Sequence, residues 1–194
     1  MKNDKETRAA VLTAAMRLLE KGGPEAVTMR RVAKAVGVTA MAIYHHFPDR
    51  DALLRALADV ENDRIAAMFD GWPARGSPLR RLRRMAESYV DYAFARPRLF
   101  AFVFLQDRPD VRRYPADFRD GRSPMASRVA DAVAEGMLAG ELRKGDFWEV
   151  AMDLWAFAHG YVALYLGGRF GYSQPEFRAF FRRSLTRFLR GLNR

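Results

Sequence analysis

The sequence predicts an all-α protein of about nine helices in two domains, on three observations. Apolar residues recur at helical spacing along most of the chain, no second apolar run offers itself as a partner strand, and Gly, Pro, Thr and Asp stand where helices should stop and start. These patterns divide the chain into a three-helix unit over residues 1–50 and a larger helical domain over residues 51–194.

In the first segment Val11, Leu12, Ala15, Leu18 and Leu19 form one helical stripe. The stretch "KGGPEAVT" then ends the helix: Gly22 and Gly23 suit a C-terminal cap, Pro24 cannot continue the helix, and Thr28 is a good N-cap for the next. A second helix is expected over residues 28–36, where Gly37 breaks it. Thr39 then caps a short third helix that runs to His46. Pro48 closes that helix and Asp49 caps a fourth, whose apolar residues Leu53, Leu54, Leu57, Ile65, Met68 and Phe69 carry it from the first domain into the second.

Beyond the loop "GWPARGSP", Leu79, Leu82, Met85, Tyr89 and Tyr92 mark a fifth helix that leads to Arg96-Pro97, where a proline suits a first helical turn. The run "LFAFVFL" is compatible with a buried strand or a buried helix; without a partner strand, helix is expected. Residues 106–124, rich in Pro, Asp and Arg, read as a loop. Three helices then follow near 125–139, 146–166 and 174–191.

The apolar and charged fractions, 49% and 29%, exclude disordered and collagen-like classes. The absence of cysteine excludes disulfides, thiolate metal sites and thiol nucleophiles, and fits a cytoplasmic location. The N-terminus reads as an amphipathic helix without the apolar core of a signal peptide. No segment offers the run of about 18 apolar residues that a membrane span needs, so no membrane partner is expected. The net charge of +10 favours polyanionic partners, although its arginines are scattered along the whole chain.

The stretch "VAKAVGVTAMAIYHHFPDRDALL" carries the most chemistry. Ala33 stands four residues before Gly37, flanked by Val32 and Val36, and Val38 and Ile43 follow. A small residue lets two helices approach, glycine supplies the turn, and the apolar residues hold the pair together, which is the arrangement of a helix-turn-helix. The blander alternative is a three-helix unit whose glycine is only a helix stop. On the first reading Thr39, Ala40 and Met41 begin a recognition helix, Thr39 facing a phosphate or base and Ala40 and Met41 offering apolar surface to thymine methyls. Tyr44 and His45 reach the DNA backbone, and Thr28, Arg30 and Arg50, at helix starts, hold flanking phosphates. Ile43 and Phe47 point inward.

Over residues 8–57 the sequence resembles the DNA-binding domain of the tetracycline-repressor-like (TetR) transcriptional regulators, from "TMRRVAKAVGVTAMAIYHHF" to the acidic and basic residues that start the fourth helix. The resemblance implies an all-helical homodimer that binds a palindromic double-stranded DNA operator, usually as a repressor. It implies phosphate contacts for Tyr44 and His45. Where the family commonly has lysine after the Phe-Pro turn this chain has Arg50, whose grip on a phosphate differs in geometry.

In the second domain Trp148, Met152, Trp155, His159 and Val162 share one helical face. "LWAFAHGYVALYLGG" resembles the Trp-His-Gly (WHG) signature of one C-terminal domain type in these regulators. His159 is either a hydrogen-bonded interior residue or the polar anchor of an apolar effector pocket with Trp155, Tyr89, Tyr92 and Phe102. Gly160 with Phe177, Phe181, Ser184 and Phe188 suits a four-helix dimer interface, or else covers its own domain. The arginines of the last helix read as solvated surface.

Enzymatic signatures are missing: there is no phosphate-binding Gly-rich loop ending in Lys-Ser or Lys-Thr, no H-E-x-x-H and no G-x-S-x-G. His45 and His46 leave a helix in different directions, so no metal or cofactor is expected. The competing reading is a helical small-molecule-binding or interaction protein with only non-specific affinity for DNA.

Overall fold

The computed structural model describes residues 2–70, 76–108 and 111–192. Among them are ten α-helices, a short 3-10 turn at Pro24–Ala26 and no β-strand. The helices are α1 (Lys2–Gly22), α2 (Met29–Val36), α3 (Ala40–His46), α4 (Arg50–Asp70), α5 (Pro78–Ala95), α6 (Pro97–Phe104), α7 (Ala116–Arg119), α8 (Pro124–Leu138), α9 (Phe147–Leu166) and α10 (Gln174–Leu192). The one unexpected helix is α7, a single turn inside the segment expected to be a loop. The core of the expected "GWPARGSP" loop, residues 71–75, lies outside the described residues.

The helix starts follow the capping chemistry. Thr28 accepts from the Arg31 N–H at 3.2 Å, Thr39 from the Ala42 N–H at 3.2 Å, and Asp49 from the Ala52 N–H at 2.6 Å. Asp146 caps α9 by accepting from the N–H groups of Trp148 and Glu149. Gly37 sits in the left-handed region at φ 79°, and its N–H closes the last turn of α2 on the Ala33 carbonyl.

The chain packs as two compact units, and these do not coincide with the division expected at residue 50. One comprises residues 1–62 with 98–110, the other 63–97 with 111–194. The continuous helix α4 is shared between them, and almost all of α6 belongs to the first unit. The physical reason for α6 is a contact between residues far apart in the chain: the Arg98 guanidinium donates to the Lys21 carbonyl at 2.7 Å and the Glu20 carbonyl at 3.3 Å, at the C-terminal end of α1.

The core of the first unit contains Val11, Leu19, Val32, Ile43, Leu53 and Leu57, none with accessible surface, together with Phe47 and Phe100. In the second unit Leu82, Val133, Val162, Phe177, Phe181 and Leu185 are buried. There α10 is tied to α5 by Arg178–Asp91 at 2.7 Å, Arg182–Glu87 at 3.7 Å and an Arg83–Thr186 hydrogen bond at 2.8 Å. Part of the arginine series on α10, expected as solvated surface, therefore holds the unit together.

Candidate nucleic-acid interface and effector cavity

In the first unit α3 is amphipathic across its seven residues. Ile43 is fully buried, whereas Met41 is 77% exposed, Tyr44 47% exposed, and the His45 side chain stands in solvent. The buried face fixes the helix on the unit and leaves an apolar side chain at its start with two polar aromatic ones a turn later. Thr39 and Thr28 cap their helices, so their hydroxyls are already oriented, and Ala40 is half-buried beside Thr39. Arg30 and Arg31 at the start of α2, and Lys34 after them, are exposed and supply positive charge. Phe47 is buried, as expected, with the Arg8 guanidinium 5.2 Å from its ring centroid.

His46, unlike His45, has a nearly buried side chain, and the Nε2 atoms of both lie within 4 Å of an Asp4 oxygen, at 3.6 and 3.8 Å. Among the described residues no group of three or more His, Cys, Asp or Glu could hold a metal ion.

Arg50 departs from its expected place at the DNA backbone. Its Nε donates to the Val27 carbonyl at 2.8 Å and its NH2 to the Pro24 carbonyl at 2.5 Å, partly buried. The guanidinium is turned inward, to the segment that leads into α2. The planar fork presents a separate nitrogen to each carbonyl in a fixed geometry, which an ammonium, a single nitrogen on a flexible stem, does not reproduce.

The second unit contains a cavity lined from α4, α5, α7, α8 and α9, with about 510 Å³ of space not filled by atoms, part of it open to solvent. Tyr89 and Trp155 are on its wall. His159 stands one step behind them: its Nδ1 lies 3.0 Å from the Tyr89 hydroxyl, which also accepts from the Trp155 indole N–H at 3.3 Å. The histidine thus orients Tyr89 and does not itself line the cavity. Tyr92 is buried on the same helix but is not among the lining residues, and Phe102 belongs to the first unit, beneath the Arg108 guanidinium at 4.7 Å. Sequence reasoning missed Phe118, whose one-turn helix is too short to show a period. It also missed the methionines Met85 and Met125, whose flexible thioethers give no positional signal.

Burial raises the Tyr89 pKa far above its ordinary value and lowers that of His159 below 6.5, so both are neutral near pH 7. Because its folded-state pKa is depressed, the unfolded chain takes up the His159 proton first as the pH falls. The stability contributed by neutral His159 is complete above about pH 6.5 and is lost as the pH drops through that value toward the folded-state pKa. Denaturant unfolding at pH 7.5 and 5.5 should show this loss in the native protein and less of it in His159→Asn.

The proposed interface set on the last two helices separates into two groups. Phe177, Phe181 and Ser184 are buried within the chain itself, so they cover their own domain and are not available to a partner. Phe188 is half-buried, stacked on Phe157 at 4.7 Å, and no atom lies within 4 Å of the position a Cβ would take on Gly160.

Comparison with known proteins bears on both units. Residues 11–57 match the family described as bacterial regulatory proteins, tetR family, and residues 82–188 match a tetracyclin repressor-like C-terminal domain. The latter description does not carry the Trp-His-Gly subtype. The chain is 30% identical over 141 residues to the HTH-type transcriptional repressor Rv1474c of Mycobacterium tuberculosis, covering 68% of this chain and 73% of that protein. A solved structure of a protein with unknown function from Rhodococcus sp. RHA1 is similar over 97% of this chain and 96% of its own, with TM-score 0.79 and 26% identity. RolR in complex with resorcinol shares the fold over 98% of this chain and 89% of its own, with TM-score 0.71 and 17% identity. Among the described residues no helix is long and apolar enough to cross a membrane. The relatives that are named by function are transcriptional regulators, and with a family match at each end of the sequence, the chain belongs to the tetR family of bacterial regulatory proteins.

Proposed function

We propose that the protein is a cytoplasmic repressor that binds a palindromic operator as a homodimer and is released by a small, mainly apolar effector held in the cavity of the second unit. The observation that carries this reading is the outward face of α3. Met41 is exposed at the start of that helix, Tyr44 and His45 follow it, also exposed, and Ile43 locks the opposite face in place. Thr39, Ala40 and Met41 read bases, while Thr28, Arg30, Tyr44 and His45 hold phosphates. Arg50 is left out of this set because its donors face carbonyls.

The test is fluorescence anisotropy against the intergenic DNA beside the protein's own gene, with a scrambled duplex as control, over a range of salt. A specific regulator prefers its site by about 4–10 kcal/mol. Binding to both duplexes that is equal and collapses with salt would instead favour the small-molecule-binding or interaction protein. Tyr44→Ala should weaken binding to all duplexes alike. Met41→Ala should change the preferred bases at a cost of about 1 kcal/mol for each lost thymine contact, and replacing that thymine by uracil should then have no further effect.

For the dimer, Ala156, Gly160 and Leu164 form a stripe on α9 at four-residue spacing, Ala156 and Leu164 exposed (Leu164 49%) and Gly160 half-buried. Together with Phe188 on α10 this stripe provides a surface for the same face of a second copy. Leu164→Arg should convert the dimer to monomer in analytical ultracentrifugation while the helical content stays unchanged.

The proposed effector acts through α4. Its last turn carries Phe69, on the cavity wall, and its first residues follow directly on the helix-turn-helix. A coupling of about 1–3 kcal/mol would change operator affinity roughly 5- to 150-fold.

A further inference from the structure

We infer that the effector is an uncharged aromatic molecule with at most one small polar group, recognised by ring contacts and apolar burial and not by an ion pair. This rests on the reading of the cavity as the effector site. Among the described residues none that lines the cavity is Asp, Glu, Lys, Arg or His. The wall is built of rings and thioethers, including Trp148, Trp155 and Phe118 with Met152. Phe118 and Trp155 lie 6.0 Å apart between centroids and are tilted by 42°, an arrangement in which the edge or face of a planar guest finds a partner. Thioethers reshape around such a guest at little cost.

Of the charges next in sequence to the wall, Arg84, Glu149 and Asp153 are exposed to solvent and Glu87 lies 3.7 Å from Arg182, while two further pairs sit beside the wall. Asp70, next to Phe69, pairs with Arg128, next to Val129, at 2.5 Å. Arg119, next to Phe118, pairs with Asp146 at 2.5 Å. The Arg128 hydrogen bond holds the Asp70 carboxyl below its ordinary 3.8, and the Arg119 hydrogen bond does the same for Asp146, so both carboxylates stay ionised and matched at neutral pH. A charged ligand would give up its hydration against a described lining that carries no opposite charge. A polar assembly that begins on the wall is neutral: Trp155 donates to the Tyr89 hydroxyl, and Tyr89 meets His159 Nδ1 behind it, whose role as donor or acceptor follows its tautomer. Such a relay accommodates either a donor or an acceptor on the ligand, but not a full charge.

Three probes of similar size separate these cases: 2-naphthol, the 2-naphthoate anion and the 2-naphthylmethylammonium cation, titrated calorimetrically into the full-length protein at pH 7. The naphthol should bind, and each ion should bind about 100-fold more weakly. Met152→Trp and Val129→Phe, both at partly exposed wall positions, should abolish naphthol binding while circular dichroism and thermal unfolding report an intact fold. Ions that bind as tightly as the naphthol, naphthol binding unchanged in both folded variants, or no binding by any probe would overturn the inference. Naphthol binding that leaves operator affinity unchanged would support the ligand class and count against the effector reading.

Discussion

Phe177→Ala should lower the unfolding free energy by about 3–5 kcal/mol, the range for emptying a buried aromatic site. Phe177 has no accessible surface and is ringed by Tyr165 at 4.4 Å, Phe170 at 5.2 Å and Phe94 at 5.4 Å between centroids. No single neighbour can move to fill the space, because each ring packs on others. Phe94, for instance, also carries the Arg178 guanidinium at 4.8 Å. The residue therefore stabilises its own chain and contributes nothing directly to association. Denaturant unfolding of Phe177→Ala alone and in the monomeric Leu164→Arg background distinguishes the two roles. The same loss in both backgrounds is expected, whereas an interface residue would lose its effect once the dimer is gone.

Phe177 also shows where sequence reading stops. The stripe of Phe177, Phe181, Ser184 and Phe188 was legible from its spacing, since periodicity defines a helix face. Periodicity is silent on what covers the face. Here α5 and α9 of the same chain, joined to α10 by contacts such as Arg178–Asp91, cover most of it. By contrast, Thr28, Gly37, Thr39 and Asp49 marked the helix-turn-helix correctly, because capping is a local negotiation between one side chain and the next backbone N–H groups. The inclusion of α6 in the first unit depends on Arg98 meeting carbonyls more than seventy residues away, and no window of sequence contains that contact. Of the five residues grouped as a pocket from their chemistry, Tyr89, Trp155 and His159 meet in the structure, whereas Tyr92 and Phe102 do not join them at the cavity. Their order, with the histidine behind the tyrosine, required coordinates.

Arg50→Leu carries the other large expected effect, a loss of roughly 2–4 kcal/mol in the stability of the first unit, from two hydrogen bonds made by one charged donor group. The leucine keeps much of the apolar stem but leaves the Val27 and Pro24 carbonyls without the guanidinium that now joins them to the start of α4. Thr28 directly follows Val27 and caps α2, so loosening this segment disturbs the entry to the helix-turn-helix, and operator affinity should fall as well. The salt dependence separates this indirect loss from a lost phosphate contact. Removing a phosphate ligand reduces the slope of log affinity against log salt by about 0.9 per subunit. Arg50→Leu should weaken binding with that slope unchanged, and much of the lost affinity should return with a stabilising osmolyte, where the fold recovers. Arg50→Lys should fall between the two proteins in stability, because the ammonium keeps the charge and donors but loses the preorganised fork with its two separate nitrogens. A reduced slope with undiminished stability would return Arg50 to the DNA backbone and show that its inward bonds give way when the operator binds.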